Sequence, residues 1–416
     1  MNSLYILFVC LILMLSCSDQ SQTYPNLSVG ENHRHFLIGQ GQWLGELSIK
    51  KNKKIPFNFE VKKDSVFIIN SEERIGAKIS SHEDSIRIKI PVFDSELRFI
   101  KTRIGLKGYW YNNTKTRQKL PFFASLNQKG EKHRFNVSDN SSHNLYSGNW
   151  ETTFSKGTEN EYKSLAVFYQ DKGFAKGTFI TETGDYRFLQ GNVCNDSIFL
   201  SCFDGAHAFL FEASLIDSVI HGVFYSGLQW SEPWVSFKND SFALTDPYLL
   251  TQQEPRKKLE FTFPNIKGGS LSYPNKRFNN KVVIIQIFGS WCPNCVDETM
   301  FFAALYEQYQ HKGLEIIGLA FESPKKLSDK IGRVKDLKSH TGSRYEFLIA
   351  GNASKKEAQK VLPFLNRVSS FPTTIFIDKS GVVRKIHTGF YGPGTGGHYA
   401  KYTAEVDALV KSLLNE

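Results

Sequence analysis

The chain has 416 residues, of which 41% are hydrophobic and 22% charged, and it carries a net charge of +10. That length is a prior for two or three domains. The composition is that of a globular protein, which excludes a largely disordered chain and a polytopic membrane protein. The charge has one address: residues 1–255 carry 27 basic and 27 acidic side chains, whereas residues 256–416 carry 24 and 14. A surplus of that size can mark nucleic-acid binding. No basic motif accompanies it, so no nucleic acid is expected as a partner. Six cysteines are too few for a disulfide scaffold in a chain of this length.

Residues 4–15 read LYILFVCLILML, an apolar run of twelve. A membrane-spanning helix needs about 20 such residues, so the run fits the apolar part of an export signal instead. Ser16-Cys17 follows, then the polar stretch SDQSQTYPN. This resembles a bacterial lipoprotein signal, with Met14 where leucine is commoner. The resemblance implies a signal peptide over 1–16, lipid modification of Cys17, and a tether over 17–35. The expected location is the bacterial cell envelope, facing the periplasm and anchored in a membrane by acyl chains, where disulfides persist.

From 36 to 250 the chain shows short alternating runs such as FNFEV (57–61), SIRIKI, SLAVFY, SIFLSCF and VIHGVFY. Runs of this length, rich in Val, Ile, Phe and Tyr and bounded by Gly, Asn, Asp and Ser, predict antiparallel strands. Asp64-Ser65, Asp84-Ser85, Asp196-Ser197, Asp217-Ser218 and Asp240-Ser241 read as turn residues that open strands. Paired motifs suggest an internal repeat. Gly41-Gln42-Trp43 matches Gly148-Asn149-Trp150, Asp84-Ser85-Ile86 matches Asp196-Ser197-Ile198, Phe93-Asp94 matches Phe203-Asp204, and Gly108-Tyr109-Trp110 resembles Gly222-Val223-Phe224. Two β-rich units, 36–145 and 146–250, are expected, each a sandwich or barrel-like sheet or both parts of one sheet system. Cys194 and Cys202 bracket one predicted strand and read as buried free thiols. His207, set among apolar residues, reads as a core histidine rather than a ligand.

Residues 240–260 form the junction, and from 256 to 416 the pattern changes to α/β. VVIIQIF (282–288), LEIIGLAF, YEFLIAG, TTIFID and VVRKIHTG predict strands. Helices are expected over about 293–311, 324–340, 355–365 and 401–414. Trp291-Cys292-Pro293-Asn294-Cys295 lies where the first buried strand gives way to a helix. A cysteine at a helix N-terminus meets unpaired N–H groups and the positive end of the dipole, both of which favour thiolate. Cys292 is therefore expected as the exposed nucleophile, and Cys295, one turn on, as the thiol that resolves a mixed disulfide. Pro293 fits the first turn, where its missing N–H costs little. Zinc binding needs a second Cys or His pair at matching spacing, and c-type haem attachment needs His after the second cysteine, where Val296 stands. No metal and no cofactor are expected.

FGSWCPNC, Glu298 three residues after Cys295, and Phe371-Pro372-Thr373 before TTIFID follow in the order of a known family. Residues 256–416 resemble the thioredoxin fold and, within it, the TlpA/ResA-like thiol–disulfide oxidoreductases. GDYRFLQG (184–191) and FDGAHAFLF (203–211) resemble the companion region of Bacteroidetes-type TlpA-like lipoproteins. The resemblance implies a redox-active Cys292–Cys295 disulfide and a proton-shuttling Glu298. It also implies a cis Pro372 beside a substrate groove bordered by Trp291, Pro293, Phe371 and Thr373. Met300 stands where thioredoxin-like proteins commonly carry proline, so an unkinked helix is expected. The implied partners are thiol- or disulfide-containing envelope proteins and an upstream electron donor. A basic surface at the groove would favour acidic partners. The competing reading is a β-rich binding or scaffold lipoprotein whose thioredoxin-like domain positions or senses a redox partner.

Overall fold

The computed structural model describes residues 38–416, apart from 51, 83, 115–117, 138–142 and 229. The expected signal peptide, Cys17 and tether lie outside the described residues.

The first unit is a closed barrel in which each strand pairs with the next and the last returns to the first. Its strands are β1 (Gly41–Ser48), β2 (Lys54–Lys62), β3 (Ser65–Asn70), β4 (Glu73–His82), β5 (Ser85–Ile90), β6 (Ser95–Thr102), β7 (Gly105–Asn112) and β8 (Gln118–Leu126). The alternation read from the sequence is the cause. In β5, Ile86, Ile88 and Ile90 point inward, and in β8, Leu120, Phe122 and Ala124 do. An eight-stranded barrel is narrow enough for its own side chains to fill. Phe57, Phe59 and Phe122 pack together with centroids 5.9–6.5 Å apart.

The second unit comprises β9 (Gly148–Phe154), β10 (Tyr162–Asp171), β11 (Phe174–Thr181), β12 (Gly184–Asp185), β13 (Leu189–Cys194), β14 (Ser197–Phe203), β15 (Ala208–Ile216), β16 (Val219–Ser226) and β17 (Trp230–Lys238). β9 pairs with both β10 and β17, and β10 also pairs with β11, so eight of these strands form a ring from which the two-residue β12 projects. Phe154, Phe179, Phe211, Phe224 and Trp234 fill its interior. Three of the four paired sequence motifs fall on the first, fifth and seventh strands of each ring, whereas Phe93-Asp94 lies in the turn after β5 and Phe203-Asp204 at the end of β14. Trp43 and Trp150 each donate their indole N–H to the carbonyl four residues earlier, Gly39 and Tyr146, at 2.9 and 2.7 Å. Four of the five Asp-Ser pairs immediately precede or open a strand, whereas Asp240-Ser241 follows β17.

The rings share a seam. Phe203, at the end of β14, lies 4.4 Å from Phe57 and meets Trp110 edge-on at 5.3 Å. Arg134, buried in the seam, donates to Ile69 O at 2.6 Å and Ser201 O at 2.8 Å. Burial lowers its pKa to about 10.

The third unit opens with a hairpin absent from the sequence reading, β18 (Phe261–Pro264) and β19 (Ser270–Tyr273). A five-stranded sheet follows: β20 (Val282–Phe288), β21 (Leu314–Glu322), β22 (Glu346–Asn352), β23 (Thr373–Ile377) and β24 (Val383–Thr388), in the order β22-β21-β20-β23-β24. β20, β21 and β22 are parallel, and β23 and β24 run antiparallel to their neighbours. Its helices are α1 (Pro293–Tyr309), α2 (Leu327–Thr341), α3 (Lys355–Val361) and α4 (Gly397–Asn415). Every residue of β20 is buried, the polar Gln286 included, as its otherwise apolar run requires. α1 runs without interruption past Met300, which is exposed. The junction is packed rather than free: Thr251 is fully buried and its hydroxyl accepts from Thr388 at 2.7 Å. Among the described residues, no helix is long and apolar enough to cross a membrane.

Candidate active site

Gly289-Ser290-Trp291 follow β20, and Cys292 is the N-cap of α1 with Pro293 at the first helical position. Cys292 makes no side-chain cap hydrogen bond, and its Sγ lies 3.7 Å from Phe371 O. Cys292 is half-buried and Cys295 is fully buried one turn below it. Neither is in a disulfide, nor is the buried Cys202; Cys194 is half-buried rather than buried as expected. Burial pushes the Cys295 thiol well above its ordinary range, and the neighbouring Cys292 sulfur adds to the shift.

The loop before β23 brings Phe371 and Pro372 against the cysteine, and the peptide bond between them is cis. Trp291 stands edge-on to Phe371 at 5.7 Å, its indole N–H donating to Phe321 O at 2.8 Å. Thr373 is buried, and its hydroxyl donates to Ser370 O at 2.9 Å, bracing the loop from within.

Glu298 is wholly buried beneath the pair. Its carboxylate accepts from Gln286 at 2.9 Å, Thr374 at 3.0 Å and the Tyr402 hydroxyl at 2.9 Å. Burial raises its pKa to about 7, against the three donors, which pull it down. A carboxyl titrating near neutrality is suited to general acid–base work. The structure turns its oxygens into this network rather than onto the Cys295 sulfur. The polar residue inside the apolar run VVIIQIF, Gln286, is the signal that would have found the network. The His387 ring packs against Tyr402 at 4.6 Å, and burial lowers its pKa to about 4.

The sequence reading missed the other side of the site. Cys292 sits in a cleft of about 740 Å³ lined by Trp291, Asn294 and Phe371 on one side and by Tyr162, Tyr186 and His207 of the second ring on the other. Asp185 of β12 accepts from Asn294 Nδ2 at 3.1 Å and from Gly392 N at 2.7 Å. The buried Arg187 reaches Asp297 on α1, Glu73 on β4 at 2.5 Å and Asp204 at 3.5 Å, joining all three units. Burial raises Asp297 to about 7, with Arg187 opposing. His207 is half-buried, stacks on Phe209 at 4.6 Å and contacts Asp204 at 3.2 Å. The C-terminal residues lining the cleft include no Lys or Arg, and its ionisable residues, Glu161, Lys163, Glu182, Asp185, Tyr162, Tyr186 and His207, come with the exception of Cys292 from the second ring.

Residues 256–386 match the AhpC/TSA family model. Over 112 residues the chain is 30% identical to the thiol-disulfide oxidoreductase ResA of Geobacillus thermodenitrificans, covering 27% of this chain and 57% of that protein. Over 131 residues it is 25% identical to ResA of Halalkalibacterium halodurans, covering 32% and 66%. The chain thus spans less than two thirds of either relative. A thioredoxin-family thiol:disulfide interchange protein from Chlorobium tepidum is similar in structure, with 20% identity and a TM-score of 0.30, covering 39% of this chain and 99% of that one. Residues 256–386 are thus similar to the AhpC/TSA family and to ResA thiol-disulfide oxidoreductases.

Proposed function

We propose that the protein is a thiol–disulfide oxidoreductase of the bacterial cell envelope that reduces protein disulfides. The observation that carries this is the half-buried Cys292 at the helix N-cap, on the floor of a cleft, with Cys295 buried one turn below. The Cys292 thiolate attacks one sulfur of the substrate disulfide, and the other leaves as a thiolate. Cys295, once deprotonated, attacks the Cys292 sulfur and releases the second substrate thiolate. Two electrons pass to the substrate, and a dithiol donor restores the pair. Catalysis of insulin disulfide reduction by dithiothreitol tests this reading. A rate no faster than dithiothreitol alone would sink it. Lipid attachment at Cys17 belongs to the same reading, and a Cys17→Ser chain that stays in the membrane fraction would contradict it. The two rings are read as copies of one duplicated unit, on the support of motifs that fall on equivalent strands.

Glu298, one helical turn after Cys295 and close enough to influence its thiol, is the proton acceptor for Cys295 in this scheme. Glu298→Gln is expected to slow resolution of the mixed disulfide by about 10²-fold. Wild-type resolution should gain speed as pH rises through about 7, and the variant should lose that step. The stability sign is opposite. A carboxyl raised in the folded state binds its proton more tightly than in the unfolded chain, so this contribution is fully present at low pH and is lost as pH rises through about 7. Urea midpoints of wild type and variant should therefore shift in favour of the variant between pH 5.5 and 8. Parallel pH profiles for both proteins would remove Glu298 from the mechanism.

A further inference from the structure

The floor of the redox cleft and its opposite wall come from different units, and the wall is fastened. Besides the Asp185 contacts, Ser370 Oγ donates to Thr183 O at 3.2 Å. Gly389 has φ +83°, and a Cβ there would come within 2.8 Å of the Thr183 backbone. A Cβ on Gly184 would meet Asn294 at 2.7 Å. Gly389 therefore lets the two backbones close on each other, Gly184 leaves room for the Asn294 side chain, and the Arg187 cluster holds the contact from behind. A cleft of about 740 Å³ has the capacity of small-ligand sites, enough for a short extended segment.

The wall also sets the charge of the entrance. Glu161 and Glu182 are exposed on it. Lys163 shares it, but its ammonium is 2.9 Å from the Glu151 carboxylate. Asp185 is half-buried and spent on Asn294 and Gly392. His207 is held by Asp204. The C-terminal face adds no charged side chain other than the reactive sulfur, only the aromatic rings of Trp291 and Phe371 and small polar groups. The entrance is thus net negative, although the domain beneath it holds the chain's entire positive surplus.

We propose that the second ring is a built-in selector that admits disulfides carried on extended, positively charged polypeptide segments. This rests on the thiol–disulfide reading above and adds the substrate class. The chemistry is the exchange already described. Cys292 forms a disulfide to one substrate sulfur while the other leaves as thiolate, and Cys295 then completes the two-electron reduction, with a dithiol as the source of electrons.

The test uses the full chain with dithiothreitol as donor and two linear peptides that differ only in the residues flanking one intrapeptide disulfide, lysines in one and glutamates in the other. The readout is the ratio of their kcat/KM values, each corrected for dithiothreitol alone. Two exposed carboxylates predict a roughly three- to tenfold preference for the lysine peptide at low ionic strength, shrinking toward unity at high salt. In the doubly substituted Glu161→Lys, Glu182→Lys protein the ratio should invert, and in Glu161→Gln, Glu182→Gln it should approach one. Equal rates for both peptides in wild type, or a preference that survives both substitutions, would overturn the selector. If neither peptide is reduced faster than by dithiothreitol alone, the redox reading itself falls.

Discussion

A Cys292→Ala protein is expected to reduce no disulfide faster than the free dithiol does, a loss on the order of 10³-fold or more. The argument is local. Cys292 is the sulfur of the pair that reaches the cleft, whereas Cys295 is fully buried and its thiol is pushed well above its ordinary range. Without Cys292 nothing carries electrons from the second thiol to a substrate. The substitution removes chemistry and little else, because the Cys292 side chain makes no cap hydrogen bond to α1. The thermal midpoint should stay within a few degrees of wild type. The complementary Cys295→Ser protein should attack and stop. Incubated with a disulfide peptide, it should gain the mass of one peptide linked through Cys292. A Cys292→Ala protein that keeps half its activity, or a Cys295→Ser protein that never traps substrate, would refute this division of labour.

The second large effect is expected far from the sulfur. Arg187 faces Asp297, Glu73 and Asp204, and its charge is held on despite burial because these carboxylates outweigh the desolvation. Arg187→Met leaves them without that cation. Breaking a buried ion pair from one side costs about 3–5 kcal/mol. The loss should depend on pH. Asp297 already titrates at about 7, and removal of the guanidinium raises it further, so its carboxyl takes up a proton as pH falls. The drop in urea midpoint should thus be large at pH 8 and smaller at pH 5.5. The same drop at both would mean that the side chain acts by packing alone.

What could be read from the amino acids follows the range of the interactions involved. SIRIKI and SIFLSCF declare themselves as strands because alternate residues face one core, a signal confined to neighbours. The strand-to-helix passage around Cys292 is equally local, so the placing of the two cysteines at the start of a helix was legible. Ring closure was not. It depends on β1 meeting β8 and on β9 meeting β17, pairings fixed by strand twist and barrel geometry rather than by any one segment. The hairpin of β18 and β19 was missed because its strands are only four residues each, too short for an alternation to register. Asp185 and Arg187 lay inside the quoted segment GDYRFLQG without a role, since their partners Asn294 and Asp297 lie more than a hundred positions away. The face that carries the charge surplus was illegible for a related reason. Net charge along a segment says how much charge a domain carries and not which face carries it, and here the face around the cysteine carries none of it.

The contact between β12 and the start of α1 has a kinetic meaning as well. Ring and cysteine belong to one chain, so their meeting is a unimolecular event with its own effective concentration. A separate adaptor protein would have to be present at matching levels to shield the thiol, and dilution would strip it away. Here the shield travels with the nucleophile at constant stoichiometry. Discrimination between substrates should consequently be the same in a crowded compartment and in a dilute cuvette.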